Sequence, residues 1–222
     1  KIDLIASTGP PHSMHLIALK LKEELGIPWL ADFRDPWTNI DFADDMPFSK
    51  SALKKNEKLE KAVLKKADHI VVVSDLMKQE FESKTHQPVS LITNGFDHAD
   101  FENISIAEGK EHFTLLHTGS LNNRRNHPAV WMAISQLISE KPEKMDSFRI
   151  KLIGKTDEKT HDDIKKYGLE RITEFVDYMA HADVITEQLK ADVLLLLVNR
   201  FGEDSNDFKS AKGTVTGKLF EY

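Results

Sequence analysis

The feature that most limits what this chain can fold into is a series of short apolar runs, each followed by a stretch with helical spacing. Val193–Val198 is apolar at every position. A strand buried on both faces reads this way, whereas a strand with one wet face alternates. Ile2–Ala6, Ile27–Ala31, His69–Val73, Val89–Thr93, Phe113–His117, Phe148–Ile153 and Ile172–Val176 are further strand candidates. Between them lie amphipathic segments. Met14, Ile17, Ala18, Leu21 and Leu25 recur at spacings of three and four and stop at Gly26, a helix-terminating residue. Leu59, Ala62 and Val63 mark a Lys/Glu helix, and Ser74-Asp75 caps another through Phe81. Pro128 opens a helix with Val130, Ile134, Leu137 and Ile138 on one face, and two more run to Tyr167 and over Ala182–Lys190. Strands that alternate with helices call for parallel sheets. Residues 97–112 hold few large apolar side chains and suit a linker. The expected fold is α/β, with two doubly wound parallel-sheet lobes over 1–105 and 106–222, Val193–Val198 forming a central strand.

A length of 222 residues accommodates two modest lobes. The net charge of −6 excludes a surface built to wrap nucleic acid. The lysines of Leu53–Lys61 alternate with glutamates and read as a solvated helix face. Without cysteine there is no disulfide or thiolate metal site, and no apolar run approaches the roughly 20 residues that span a bilayer. No His pair has zinc-ligand spacing with a carboxylate beside it, so no metal is expected. The chain starts inside a strand candidate and stops early in a helix candidate, which reads as a central fragment lacking both ends, each lobe incomplete.

Parallel sheets bind ligands beyond the carboxyl ends of their strands. The informative residues therefore follow the strands: Ser7-Thr-Gly-Pro-Pro-His12, Asp32-Phe-Arg-Asp35, Asn94-Gly95, Gly119–Arg125, Gly154-Lys155 and the loop before Glu221. Of these, His117-Thr-Gly-Ser-Leu-Asn-Asn-Arg-Arg-Asn-His-Pro128 combines a strand end, a glycine turn, two arginines and a helix start. Backbone N–H groups and the helix dipole favour an anion there, and arginine adds a planar fork.

Five motifs then occur in order: Ala31-Asp-Phe-Arg-Asp-Pro-Trp37, Val72-Val-Ser-Asp75, Thr93-Asn-Gly-Phe-Asp97, His117-Thr-Gly-Ser-Leu121 and Gly217-Lys-Leu-Phe-Glu-Tyr222. Together they make the chain resemble a bacterial GT-B glycosyltransferase of the retaining family 4. The resemblance implies two Rossmann-like lobes, with a nucleotide-sugar donor on the C-terminal lobe and an acceptor on the N-terminal one. It implies a hexosyltransferase-like, metal-independent reaction without a cofactor. A glycan or lipid-linked acceptor, a role in cell-surface polysaccharide or glycoconjugate synthesis, a cytoplasmic location and peripheral membrane association of a full-length protein come from it as well.

On this resemblance Gly119, Ser120, Arg125, Lys218 and Glu221 are donor-binding candidates. Arg125 would hold the diphosphate, and a cation there stabilises the charge that grows as the diphosphate departs. Arg124 reads as a surface residue. Glu221 would accept from the ribose hydroxyls, since a carboxylate has two oxygens for two donors. Lys218 lies one helical turn before it. The family often has a second glutamate where this chain has Gly213. Ser7, Pro11, His12, Ser13, Asp32 and Arg34 are acceptor-side candidates, and Arg34 stands where many members have histidine. Asp35 and Arg125 are the catalytic candidates, Asp35 for acceptor positioning or proton uptake, although the adjacent Arg34 makes that aspartate a weak base. An Asp–Arg brace of the Asp-Pro-Trp turn is the plain alternative. Trp29 and Trp131 read as core, and Trp37 as the one that could face an acceptor or the lobe interface. Two other functions stay open at this point: a sugar-nucleotide epimerase of the same fold, and a non-catalytic sugar-nucleotide-binding module.

Overall fold

The structure, a computed structural model, describes residues 1–39, 48–102, 104, 109–200 and 215–222. The acidic loop Asp41–Asp45, Gly213 and the 105/106 boundary lie outside the described residues. The chain divides into two compact units, residues 1–94 with 201–216 and residues 95–200 with 217–222. Among the described residues each unit holds a four-stranded parallel sheet with helices packed on it, a Rossmann-like α/β arrangement.

In the first unit the order is β1 (Ile5–Gly9), α1 (Ser13–Leu25), β2 (Trp29–Phe33), α2 (Lys50–Lys66), β3 (His69–Val72), α3 (Asp75–Lys84) and β4 (Val89–Leu91). The strands stand in chain order across the sheet. Right-handed crossovers that all advance in one direction return their helices over one face. Trp29, Phe33, Leu64, Ile70 and Phe81 are completely buried between them. Two caps follow the sequence: Ser74 Oγ accepts from Met77 N at 3.3 Å, and Gly26 ends α1 in the left-handed conformation; Ser49 also caps α2, its Oγ accepting from Ala52 N at 3.2 Å.

Two strands are displaced from expectation. β1 starts three residues later than the apolar run suggests, and β2 two residues later. The register pairs Ser7 with Ala31 and Thr8 with Asp32. Polar residues sit in these strands because neighbours satisfy them: Trp29 Nε1–H donates to Ser7 Oγ at 2.8 Å, and Thr8 Oγ1–H donates to Asp32 Oδ2 at 2.8 Å. Helix α1 is also turned. His15 and Ala18 face the core, while Met14, Ile17, Leu21 and Leu25 are exposed. The small Ala18 permits close approach, and the His15 ring finds the Ser7 hydroxyl at 2.8 Å and Phe33 at 4.3 Å between centroids.

The second unit runs β5 (Phe113–Thr118), α4 (Pro128–Glu140), β6 (Phe148–Ile153), α5 (Glu158–Lys166), β7 (Thr173–Val176), α6 (His181–Lys190), β8 (Val193–Leu194) and a final short helix α7 (Lys218–Glu221). Its strand order is β7-β6-β5-β8. The chain therefore winds outward from β5 through β6 to β7, then returns past β5 to add β8 on the other side. Val193–Val198 is a correction: only two of its residues are strand, and among the described residues they lie at the sheet edge. The remainder leaves the sheet to meet the loop after β5. Trp131, Ile150, Leu152, Ile164, Leu169 and Ile172 form the core.

Candidate functional site: the crevice between β5 and β8

The reversal at β5 has a geometric consequence. The chain winds from β5 to one side and adds β8 on the other, so the switch-point crevice of the sheet falls at the carboxyl ends of these two strands, bridged by bonds between the loops that follow them. Residues Thr118–His127 and Leu195–Arg200 line this point.

The β5 loop is held by backbone contacts. Gly119 N–H donates to Ile153 O at 2.7 Å, Leu121 N–H to Lys155 O at 2.9 Å, and Asp157 N–H to Leu121 O at 3.1 Å. Gly154 makes the approach possible: its φ is +115°, and a Cβ there would lie 2.9 Å from Gly119 O. Gly119 has φ +96°, and a Cβ on it would meet Lys218 Nζ at 2.5 Å. The lysine therefore lies directly over the glycine turn.

Across the crevice, Arg125 Nε–H donates to Asn199 Oδ1 at 3.2 Å and Arg125 Nη1–H to Ser120 O at 3.4 Å. Arg200 N–H donates to Arg124 O at 2.8 Å, and His127 Nε2–H to Val198 O at 2.8 Å. His117 Nδ1–H donates to Leu195 O at 2.8 Å, which leaves its buried Nε2 as a lone pair without a partner among the described residues. Burial first, then the nearby Lys218 and Arg125 charges, pushes His117 down to about 4. Lys218 is pushed down to about 8 by burial and then by Arg125, against the opposing pull of Glu221. Among the described residues neither Arg125 nor Lys218 makes an ion pair. Two cations crowded over a glycine turn favour an anion between them.

The sequence points to Gly119, Ser120, Arg125, Lys218 and Glu221, and all five fall within this unit. Ser120 is exposed at the turn. Glu221 is half-buried in α7, with its Oε1 at 3.5 Å from His181 Nε2, and His181 Nδ1 is 3.7 Å from Asp100 Oδ2. Other residues escape a reading of the sequence. The Tyr222 hydroxyl accepts from Thr118 N–H at 3.2 Å and lies 2.9 Å from Thr118 Oγ1, tying α7 to the end of β5. Beyond β6 and β7 is a cavity of about 500 Å³ lined by Gly154, His161, Phe175, Asp177 and Tyr178, where the His161 and Phe175 rings stack at 4.0 Å. A lone histidine ending the apolar run of β5 is the one signal in the sequence that could draw attention to His117.

The first-unit candidates occupy different settings. Ser7 is buried, its hydroxyl shared by Trp29 and His15. His12 Nε2–H donates to Pro36 O at 3.2 Å, and its ring stacks on Trp37 at 5.3 Å. Pro11 and Ser13 are exposed at the start of α1. Asp32 lies inside β2, half-buried and bonded to Thr8. Arg34 is exposed, with its N–H donating to Gly9 O at 3.0 Å. Asp35 is half-buried in the turn that follows. That turn is braced at Thr38, whose N–H and Oγ1–H both donate to the buried Glu60, at 3.2 and 2.9 Å. Trp37 packs against the core.

No protein-family model matches this sequence, and no curated protein matches it. Several solved structures match its fold. Sucrose-phosphate synthase from Thermosynechococcus elongatus aligns with a TM-score of 0.61 at 15% identity, over 90% of this chain and 52% of its own. A trehalose-6-phosphate synthase, studied with bisubstrate glycomimetics for glycosyltransfer with retention, gives 0.61 at 12%, over 95% and 57%. A point mutant of TarM from S. aureus, in complex with Fondaparinux, alpha-GlcNAc-glycerol and UDP, gives 0.56 at 10%, over 93% and 39%. The chain thus spans between 39% and 57% of the length of these structures. What it shares with them is the fold: two α/β units of the Rossmann-like kind found in the lobes of GT-B glycosyltransferases.

Proposed function

We propose that this chain acts in a nucleotide-sugar-dependent glycosyltransferase of the retaining family 4 type, its second unit taking the donor. The observation that carries the reading is the pair Arg125 and Lys218 over the Gly119 turn, at the crevice where the second sheet reverses. A donor diphosphate placed there meets two cations and a glycine backbone that lets it approach. The ribose hydroxyls reach Glu221, and the base takes the cavity beyond β6 and β7. As the sugar–phosphate bond breaks, negative charge accumulates on the diphosphate. Cations fixed beforehand stabilise that charge more than the ground state. No metal or cofactor is required for this.

The acceptor is proposed for the loops after β1 and β2 of the first unit, with Asp35 positioning its hydroxyl. A glycan or lipid-linked acceptor, use in surface polysaccharide synthesis, a cytoplasmic location and peripheral membrane association belong to the same proposal. Among the described residues no helix is long and apolar enough to cross a membrane.

Calorimetric titration of the protein with UDP, GDP and their sugar adducts tests the donor reading. Binding that Arg125→Ala weakens, and a product of unchanged anomeric configuration, are the expected results. Failure of every base to bind would sink it.

A further inference from the structure

One buried polar cluster lies next to Arg125 and is not used by the reading above. Asn126 is completely buried. Its Nδ2–H donates to Asp163 Oδ2 at 2.6 Å, and its Oδ1 accepts from Trp131 Nε1–H at 2.6 Å. Asp163 is 1% exposed and takes a further bond from Lys159 Nζ at 2.6 Å. The Asn126 side chain is thus fixed at both ends, by α5 through Asp163 and by α4 through Trp131.

This arrangement is an expensive way to fill a core. Burying a carboxylate costs free energy that an apolar residue of similar size avoids, and such networks hold their place when they fix one geometry. The geometry they fix here is that of a tight turn. Asn126 N–H donates to Asn122 O at 2.8 Å, and Arg125 N–H to Asn122 O at 2.9 Å and to Asn122 Oδ1 at 3.1 Å. With residue 126 anchored inward and the turn closed on Asn122, the preceding residue has little freedom except to point outward. There its guanidinium reaches Asn199 on the far side of the crevice.

We propose that Asn126 and Asp163 are a positioning pair that aims Arg125 into the crevice between β5 and β8. The pair touches no ligand. It keeps the arginine in its binding direction before an anion arrives, so the anion does not have to order it. The benefit for a diphosphate rests on the donor reading; the effect on Arg125 itself does not.

The test therefore has a ligand-free arm. NMR relaxation of the Arg125 Nε–H, assigned by its loss in Arg125→Lys, is compared between the wild type and Asp163→Ala. The arginine is expected to be ordered in the wild type and mobile in the variant, and Asp163→Asn, which keeps an oxygen for Asn126 Nδ2–H, restores part of the order. Should Asp163→Ala not fold, Asn126→Ala carries the test, because it leaves Asp163 paired with Lys159. Equal order of Arg125 in wild type and variant overturns the proposal. In the second arm, UDP binding is expected to weaken about fivefold to tenfold in the variant, the range for loosening one charge-assisted contact, while uridine binding stays unchanged. A purely structural defect would weaken both alike and would overturn the proposal. Absence of UDP and GDP binding to the wild type strikes the donor reading and leaves the ligand-free arm to decide the positioning role.

Discussion

The two sheets are built from the same parts and differ in one topological step. In the first, β1 to β4 stand in chain order, and each strand-end loop leans the same way as the next. In the second, β8 joins on the far side of β5, and the order of the strands reverses at that point. Both units bury a tryptophan completely and direct its indole N–H to a buried polar side chain: Trp29 to Ser7 within β1, Trp131 to Asn126 in the loop that leads into α4. In the first unit the partner's hydroxyl then turns inward to the buried His15. In the second the partner turns inward to Asp163, and the residue before it, Arg125, is released toward the crevice. Similar scaffolding closes the polar groups of one strand end and opens those of the other. The first sheet instead offers apolar grooves of about 460 and 400 Å³ along Leu30, Val71 and Ile92.

Acid should affect the two units most, and alike. His15 is pushed down to about 4 by burial and then by His12, and His117 to about 4 by burial and its cationic neighbours. A histidine whose folded pKa is depressed contributes stability that is present above its unfolded value near 6.5 and is lost as pH falls toward 4. Each should contribute about 3 kcal/mol over that window, measured by denaturant unfolding at successive pH values. His15→Gln and His117→Gln should each flatten the curve by a similar amount, and a flat wild-type curve would break the parallel.

Ligand binding should separate the units next. Arg125→Ala should weaken UDP binding about 10- to 100-fold, as expected for a charge-assisted contact. Arg34→Ala, in the first unit, should leave UDP binding unchanged by calorimetry. Equal losses would erase the distinction between the two strand ends.

Glycine substitution gives a smaller contrast. Gly26 has φ +65° with no atom within 4 Å of a Cβ, so Gly26→Ala should cost about 1 kcal/mol from backbone strain alone. Gly154→Ala meets Gly119 O at 2.9 Å as well and should cost about 2–3 kcal/mol in the same unfolding assay, together with weaker UDP binding. The smallest effect is that of alkali. Because Lys218 is pushed down to about 8, UDP affinity should fall severalfold between pH 7 and 9, and Lys218→Met should remove the slope.

The alternation of strand and helix is legible because short apolar runs stand apart from the three-and-four spacing of the segments between them. The start of β1 is not, since Ser7 and Thr8 are polar and their partners, Trp29 and Asp32, lie more than twenty residues away. The face of α1 escapes for a related reason: His15 is buried by what it bonds, which no helical period records. Val193–Val198 has the composition of a central strand, but its lower half is a loop whose carbonyls serve imidazoles. At the site, Gly119 and Arg125 announce themselves by strand, turn and helix start within a dozen residues. Asn126, Asp163 and His117 do not, because each acquires its meaning from another element.

The short β8 carries a consequence for motion. Beyond Leu194 the chain is tied to the β5 side by a Leu195 N–H bond to Leu116 O, by two imidazole-to-carbonyl bonds and by the Arg200 N–H, rather than by a continuing ladder. Such a tether can let go at a few points without tearing a sheet. Amide hydrogens of residues 196–200 should therefore exchange through a local opening of much lower free energy than global unfolding, which gives a molecule entering the crevice a hinged wall to push against.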